Sequence, residues 1–142
     1  SITAMAEELG VGALVRELPE RIPFLHVQQT LRHSHGAMVL GSIEPHYSAS
    51  KLFQCFVTAP RVFAFLHEES EANQILTECD ARQFYVPYSD HIAESELLSI
   101  AMDKILRFVD PNEKWEPNFD ALNPHTSIAN VNRFIRAVEK LS

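Results

Sequence analysis

Residues 37–66, AMVLGSIEPHYSASKLFQCFVTAPRVFAFL, contain the pattern that decides the fold. The apolar runs at 37–40 (AMVL) and 61–66 (RVFAFL) are short enough for buried strands, and residues 51–58 between them suit a helix. A strand, a helix and a second strand in this order predict a parallel βαβ unit, because parallel neighbours need a crossover connection.

The same alternation continues on both sides of this unit. Gly10 ends the first expected helix, and Pro87 follows the last expected strand. We expect further helices over residues 2–9, 24–32 and 70–79 and further strands over residues 11–15 and 83–86.

Two amphipathic helices are expected nearer the end of the chain. In the first, Leu97, Ala101, Ile105 and Val109 recur every four residues, and Leu98 and Met102 widen the stripe. Residues 110–124 hold three prolines and the only tryptophan, which predicts an irregular packed segment. Thr126 or Ser127 can cap the last helix. The shared apolar face of that helix comprises Ile128, Val131, Phe134, Ile135, Val138 and Leu141.

This succession predicts an α/β fold, a doubly wound parallel sheet with helices on both faces, which is Rossmann-like. The 142 residues, 46% hydrophobic and 22% charged, suit a single domain over residues 1–142. Ligands of such sheets bind beyond the carboxyl ends of the strands. The loops after Leu18, Leu40, Leu66 and Val86 are therefore the candidates for a site.

The amino-acid composition argues against several classes of function. A net charge of −7 argues against nucleic acid as a partner, because such surfaces are usually basic. No apolar run approaches the roughly 20 residues of a membrane-spanning helix, so we expect a cytoplasmic location, peripheral at a membrane at most. Cys55 and Cys79 are too few for a disulfide framework and are expected to be reduced.

The sequence lacks the motifs of several common catalytic and cofactor-binding sites. The four glycines cannot form the Gly-rich turn of a nicotinamide-binding domain, and the motifs of serine hydrolases and P-loop enzymes do not occur. His33 and His35 could begin a metal site, but no cysteine or acid nearby completes a ligand set. We therefore expect neither a metal nor a cofactor.

The loop after Leu40 is dense in polar side chains just before a helix. A helix N-terminus beside Lys51 would favour a diphosphate. The alternative is that the serines only cap the helix and Lys51 is solvated. The polar residues of this loop are Glu44, His46, Tyr47, Ser48, Ser50 and Lys51.

Residues 50–66, SKLFQCFVTAPRVFAFL, align without a gap to the pattern P-S-K-L-F-[DE]-Y-L-A-[ST]-G-[KR]-P-V-L-A-F-L of retaining glycosyltransferases with the GT-B fold. Residues 68–90, EESEANQILTECDARQFYVPYSD, and 18–40, LPERIPFLHVQQTLRHSHGAMVL, are similar to the flanking segments of that family. The chain thus resembles the C-terminal, nucleotide-sugar-binding domain of these enzymes, which transfer a sugar from a nucleotide diphosphate to an acceptor such as a cell-surface glycan.

The resemblance implies roles for individual residues. Ser50 and Lys51 would contact the donor phosphates, with Ser48 as a neighbouring candidate. Gln54 stands where the family usually has an acid that bonds the ribose, and His46 stands where many members have a glutamate. Both acids are absent here, which puts catalytic competence in question.

Other positions follow from the same resemblance. Glu44, Ser70 and Glu71 would lie near the donor, although an acidic first helical turn at Glu71 is also ordinary dipole compensation. Residues 67–69 would face the donor sugar, and residues 18–22 would lie near the base. At the turns, Ala59 and Arg82 replace family glycines, and Pro60-Arg61 replaces Lys-Pro.

The resemblance also implies parts that this chain does not show. Family domains begin with a further strand and a Gly-containing turn, and an N-terminal domain binds the glycan or lipid-linked acceptor. The first hypothesis is therefore the donor-binding domain of a glycosyltransferase, which would be inactive when isolated. The second is a non-catalytic interaction module with a degenerate site.

Overall fold

The computed structural model of the chain describes residues 1–42, 44 and 50–139. Short 3-10 helices cover Gly12–Leu14, Arg82–Phe84 and Phe119–His125. The strands are β1 (Ala37–Leu40), β2 (Val62–His67) and β3 (Tyr85–Tyr88). The α-helices are α1 (Ile2–Glu8), α2 (Phe24–His33), α3 (Ser50–Thr58), α4 (Glu71–Glu78), α5 (Glu94–Val109) and α6 (Ser127–Glu139).

The three strands form one parallel sheet in the order β1-β2-β3. Ala37 pairs with Val62, and Ala64 pairs with Tyr85, so β2 has a hydrogen-bonded neighbour on each side. Each step across the sheet passes through one helix, α3 or α4. The predicted βαβ unit and the α/β class are confirmed.

One face of the sheet packs against α3 and α4. The side chains of Val62, Ala64 and Leu66 on β2 point to this face, because successive residues of a strand alternate between faces. Burial of each large apolar side chain stabilises the fold by roughly 1.5–3 kcal/mol. From the two helices, this core contains Leu52, Phe56, Ala72, Ile75 and Leu76.

The opposite face packs against α5 and is only partly covered. Phe63 of β2, Val86 of β3 and Phe108 of α5 form its buried core with Phe84. Met38 and Leu40 of β1 point to the same side but remain 56% and 65% exposed. Helices therefore lie on both faces, as predicted, while the β1 half of the second face is open.

Arg61 ties the end of α5 to the start of β2. Its guanidinium donates to the carbonyl oxygens of Phe108 and Asp110 at 2.9 Å and of Glu113 at 3.1 Å. The last carbonyls of a helix have no partner within the helix, so a side-chain donor there satisfies them. The same arginine lies 5.8 Å from the centre of the Phe84 ring.

The strand predicted over residues 11–15 is wrong. After α1, Gly10 adopts a φ of 71°, and the Val11 amide donates to the Ala6 carbonyl at 2.8 Å. This capping pattern turns the chain back onto α1. Gly12–Leu14 is consequently a 3-10 helix, and Leu14 is 84% exposed.

One other prediction needs correction. Residues 83–86 were predicted as a strand, but the strand covers Tyr85–Tyr88 because Arg82–Phe84 forms a 3-10 turn. The amphipathic helix predicted near the end of the chain is present as α6, and Ile128, Val131 and Ile135 of its apolar face are exposed. The cap at Thr126 is confirmed, because its hydroxyl accepts from the Ala129 amide at 3.2 Å.

Among the described helices, none combines the length and the apolar character required to cross a membrane.

Arg61→Met should lower the free energy of unfolding by about 1–3 kcal/mol, because the carbonyls of Phe108, Asp110 and Glu113, at and beyond the end of α5, lose a charged donor. Urea denaturation followed by circular dichroism measures the change. Arg16→Met is the matched control, since Arg16 is exposed. Equal stability of the two variants would contradict a stabilising role for Arg61.

Candidate functional site

The N-termini of α2 and α3 lie side by side at the carboxyl edge of the sheet. α3 follows β1, so its first turn begins beyond the carboxyl end of that strand. α2 leads into the opposite end of β1 and contacts α3, so its first turn lies at the same edge. Both helix dipoles therefore present their positive ends to one region.

A cavity of about 550 Å³ opens between these two helix N-termini. Two cations line it, Arg21 before α2 and Lys51 in the first turn of α3. Gln54 lies one turn further along α3 and also lines the cavity. The remaining lining is largely apolar and comprises Ile22, Pro23, Phe24 and Val27.

Neither helix places an acidic residue in its first turn at this cavity. By contrast, α4 carries Glu71 there, and α5 carries Glu94 and Glu96. Pro23, at the N-cap of α2, makes no side-chain cap. The His26 amide donates to the Pro23 carbonyl at 3.0 Å, so among the described residues the amides of Phe24 and Leu25 remain available to a bound anion.

Other predicted site residues lie apart from this cavity. Glu44 and Ser70 border a gap at the end of β2, together with His67 and Ser42, and the gap is too narrow for a water molecule. Ser70 is buried, and its Oγ has no hydrogen-bond partner among the described residues. Glu71 is exposed in the first turn of α4. Glu44, Ser70 and Glu71 are therefore not among the residues that line the cavity with Lys51 and Gln54.

Three predicted residues cannot be placed in the cavity. His46 and Ser48 lie outside the described residues, and for Ser50 only the backbone is described, as the first residue of α3. Their assignment to a donor site stays a prediction.

Tyr88, the last residue of β3, contacts the loop that follows β1. Its hydroxyl donates a hydrogen bond to the carbonyl oxygen of Ser42, and its ring stacks on Phe65 with centroids 5.0 Å apart. Burial raises the pKa of the Tyr88 hydroxyl, so this donor keeps its proton at neutral pH. The Gly41–Ser42 segment is thereby held against the end of β3.

Sequence reasoning singled out none of three residues that the structure sets at this edge, although Arg21 and His67 fall within the ranges expected near the base and the donor sugar. Arg21 and Phe24 line the cavity, and Phe24 is 59% exposed despite its size. Arg21 lies three residues before the first residue of α2. His67, the last residue of β2, is only 8% exposed. Its alternation with Phe63 and Phe65 could have indicated that burial.

The two histidines considered for a metal have separate partners. His33 Nδ1 lies 2.8 Å from the Gln29 carbonyl oxygen, and His35 Nε2 lies 3.2 Å from that of Phe108. Within the described part of the chain, no three His, Cys, Asp or Glu side chains lie close enough to hold a metal ion.

Comparison with known protein families, with curated proteins and with solved structures gives no match for this chain.

Tyr88→Phe should lower the free energy of unfolding by about 1 kcal/mol and speed amide hydrogen exchange at Ser42 and Glu44, because the hydrogen bond to Ser42 is lost. Tyr85→Phe is the matched control. The Tyr85 hydroxyl is buried without a partner among the described residues, and burial raises the pKa of Tyr85 to about 12. Its removal should leave stability unchanged or higher. Unchanged exchange in Tyr88→Phe would contradict the proposed restraint.

Proposed function

We propose that this domain binds a nucleotide diphosphate sugar in the cavity between α2 and α3. The strongest support for the proposal is that Arg21 and Lys51 line one cavity at the N-termini of α2 and α3. Neither helix has an acidic residue in its first turn. In a chain of net charge −7, such a local concentration of positive potential suits an anion.

The cavity offers a chemically distinct partner for each part of the ligand. Lys51 and Arg21 would take the diphosphate, which a guanidinium can bind through two parallel hydrogen bonds. Gln54 would bond a ribose hydroxyl through its side-chain amide, as a weaker acceptor than a carboxylate. The exposed ring of Phe24 and the side chains of Ile22 and Val27 provide apolar surface for the base.

The remaining residues of the predicted donor site have weaker support. His46, Ser48 and Ser50 precede or begin α3, so they would extend the phosphate contacts from the same helix end. Glu44, Ser70 and Glu71 would belong to the sugar end of the ligand. The narrow gap beside Ser70 does not admit even water, so contact there requires displacement of the Ser42–Glu44 segment.

Sugar transfer to a glycan or lipid-linked acceptor would need a second domain. Catalysis requires donor and acceptor to be held together in reactive geometry, and a donor cavity alone does not supply this. We therefore propose donor binding as the function of this chain, and glycosyl transfer as the activity of a protein in which an acceptor-binding domain accompanies it.

A non-catalytic interaction module is the second candidate. Gln54 is neutral where the resembling family has an acid, which weakens the ribose contact. In addition, α6 exposes Ile128, Val131 and Ile135 along one face. Exposed apolar surface of this kind is typical of protein contacts.

Titration calorimetry with UDP, GDP and ADP tests the donor site. Lys51→Ala and Arg21→Ala should each weaken binding of the preferred nucleotide about tenfold or more, because each removes a charged hydrogen-bond donor. Arg32→Ala is the matched control, since Arg32 lies at the opposite end of α2. Absence of binding to the parent chain, or an equal loss in all three variants, would reject the site.

Gln54→Glu tests the ribose contact separately. The carboxylate should strengthen binding of an uncharged nucleoside, uridine, guanosine or adenosine, about two- to fivefold, because it accepts hydroxyl hydrogen bonds better than an amide. Calorimetry measures the affinity, and Gln29→Glu, at an exposed position of α2, is the control. No gain over that control would show that Gln54 does not face the ribose.

A further inference from the structure

We propose that a second site, on the opposite face of the sheet, binds an uncharged apolar molecule carrying a hydroxyl group. This site is the groove between β1 and α5, which we call the β1 groove, with a volume of about 590 Å³. Its size lies within the range of small-molecule sites. The side chains that form its walls are Met38, Leu40, Phe65, Leu97, Ala101 and Ile105.

The walls of the β1 groove are apolar but open to solvent. Met38 and Leu40 are largely exposed, whereas their strand neighbours Ala37 and Val39 are each 6% exposed on the other face. α5 covers β2 and β3 and reaches the groove through Leu97, Ala101 and Ile105. An apolar ligand in the groove would gain roughly 25 cal/mol for each Å² of apolar surface removed from water.

A histidine lies at the carboxyl end of the β1 groove. His67 lines the groove there, and its Nδ1 accepts from the Glu69 amide at 3.2 Å. Since Nδ1 supplies the lone pair, the proton of the neutral ring is on Nε2. Among the described residues Nε2 has no hydrogen-bond acceptor, so a ligand oxygen at this end can accept from it.

The same end of the groove also offers acceptors. Ser89 and Asp90 follow β3 and line the groove together with His67. His67 pairs with Tyr88, the last residue of β3, so the three residues lie at the same end of the sheet. A hydroxyl group can accept from His67 and donate to Asp90 at once. A carboxylate would be repelled by Asp90, and an ammonium group, although Asp90 attracts it, has no lone pair that could accept from His67. A hydroxyl is therefore the head group that fits.

Other occupants fit the β1 groove less well. A strand added to the free edge of β1 would pair with its backbone, but it would lie beside the sheet and leave the groove above it unfilled. A second copy of the chain would bring another net charge of −7 to a groove whose described lining contains Asp90 and no lysine or arginine.

Nuclear magnetic resonance titration with 1-octanol and octanoate tests this proposal, because the two probes share one chain and differ only in the head group. We expect saturable shifts at Leu40, Phe65 and Ala101, with octanol bound about two- to tenfold more tightly than octanoate. His67→Phe keeps an aromatic ring and should abolish this preference, while Leu40→Asp should weaken the binding of octanol and octanoate.

Leu106→Asp is the matched control, because Leu106 is an exposed leucine of α5 that does not line the groove. It should leave all affinities unchanged. No saturable octanol binding, equal affinity for octanoate, or an unaltered preference in a folded His67→Phe variant would each overturn the proposal. Sedimentation showing a dimer that Leu40→Asp disrupts would also overturn it and assign the groove to a second copy.

Discussion

The two-sided burial of β2 is the constraint on which the rest of the structure depends. Val62, Ala64 and Leu66 join the core with α3 and α4, while Phe63 joins the core with α5. A central parallel strand with helices over both faces of its sheet buries consecutive apolar residues in this way. The apolar run before His67 therefore requires cover on both faces, which α3 and α4 supply on one side and α5 on the other.

Sheet order in turn fixes which loops meet. The parallel register sets the ends of all three strands at one edge, where Tyr88 joins the loop at Ser42 and His67 closes β2. α3 begins at that edge because it is the crossover from β1 to β2. The cavity at Lys51 and the groove at His67 thus arise from one topology but open on opposite faces of the sheet.

The sequence predicted the helices and strands that bury several apolar residues close together in the chain. The segment from α3 to α4 contains enough apolar residues at helix and strand spacing to predict a helix, a strand and a second helix. The predicted bounds of these elements agree with the observed ones to within a residue or two. The prediction of a strand over residues 11–15 was wrong, because an apolar run alone does not show that the chain turns at Gly10 and folds back onto α1. Among the residues that line the cavity, Lys51 was expected from the polar loop and Gln54 from the resemblance to the glycosyltransferases. The approach of Arg21 depends on how α2 packs against α3, which a one-dimensional pattern does not contain.

Charge placement at the cavity differs from that at the starts of α4 and α5. Acidic residues outnumber basic ones by 19 to 12, and they occupy the first turns of α4 and α5, where they compensate the helix dipoles. α2 and α3 lack this compensation and stand beside Arg21 and Lys51. Because compensating acids would stabilise both helices, their absence at adjoining N-termini leaves a positive potential that the fold itself does not require. Arg61 illustrates the contrast: its charge serves three backbone carbonyls, whereas Arg21 and Lys51 face solvent and remain available to a ligand.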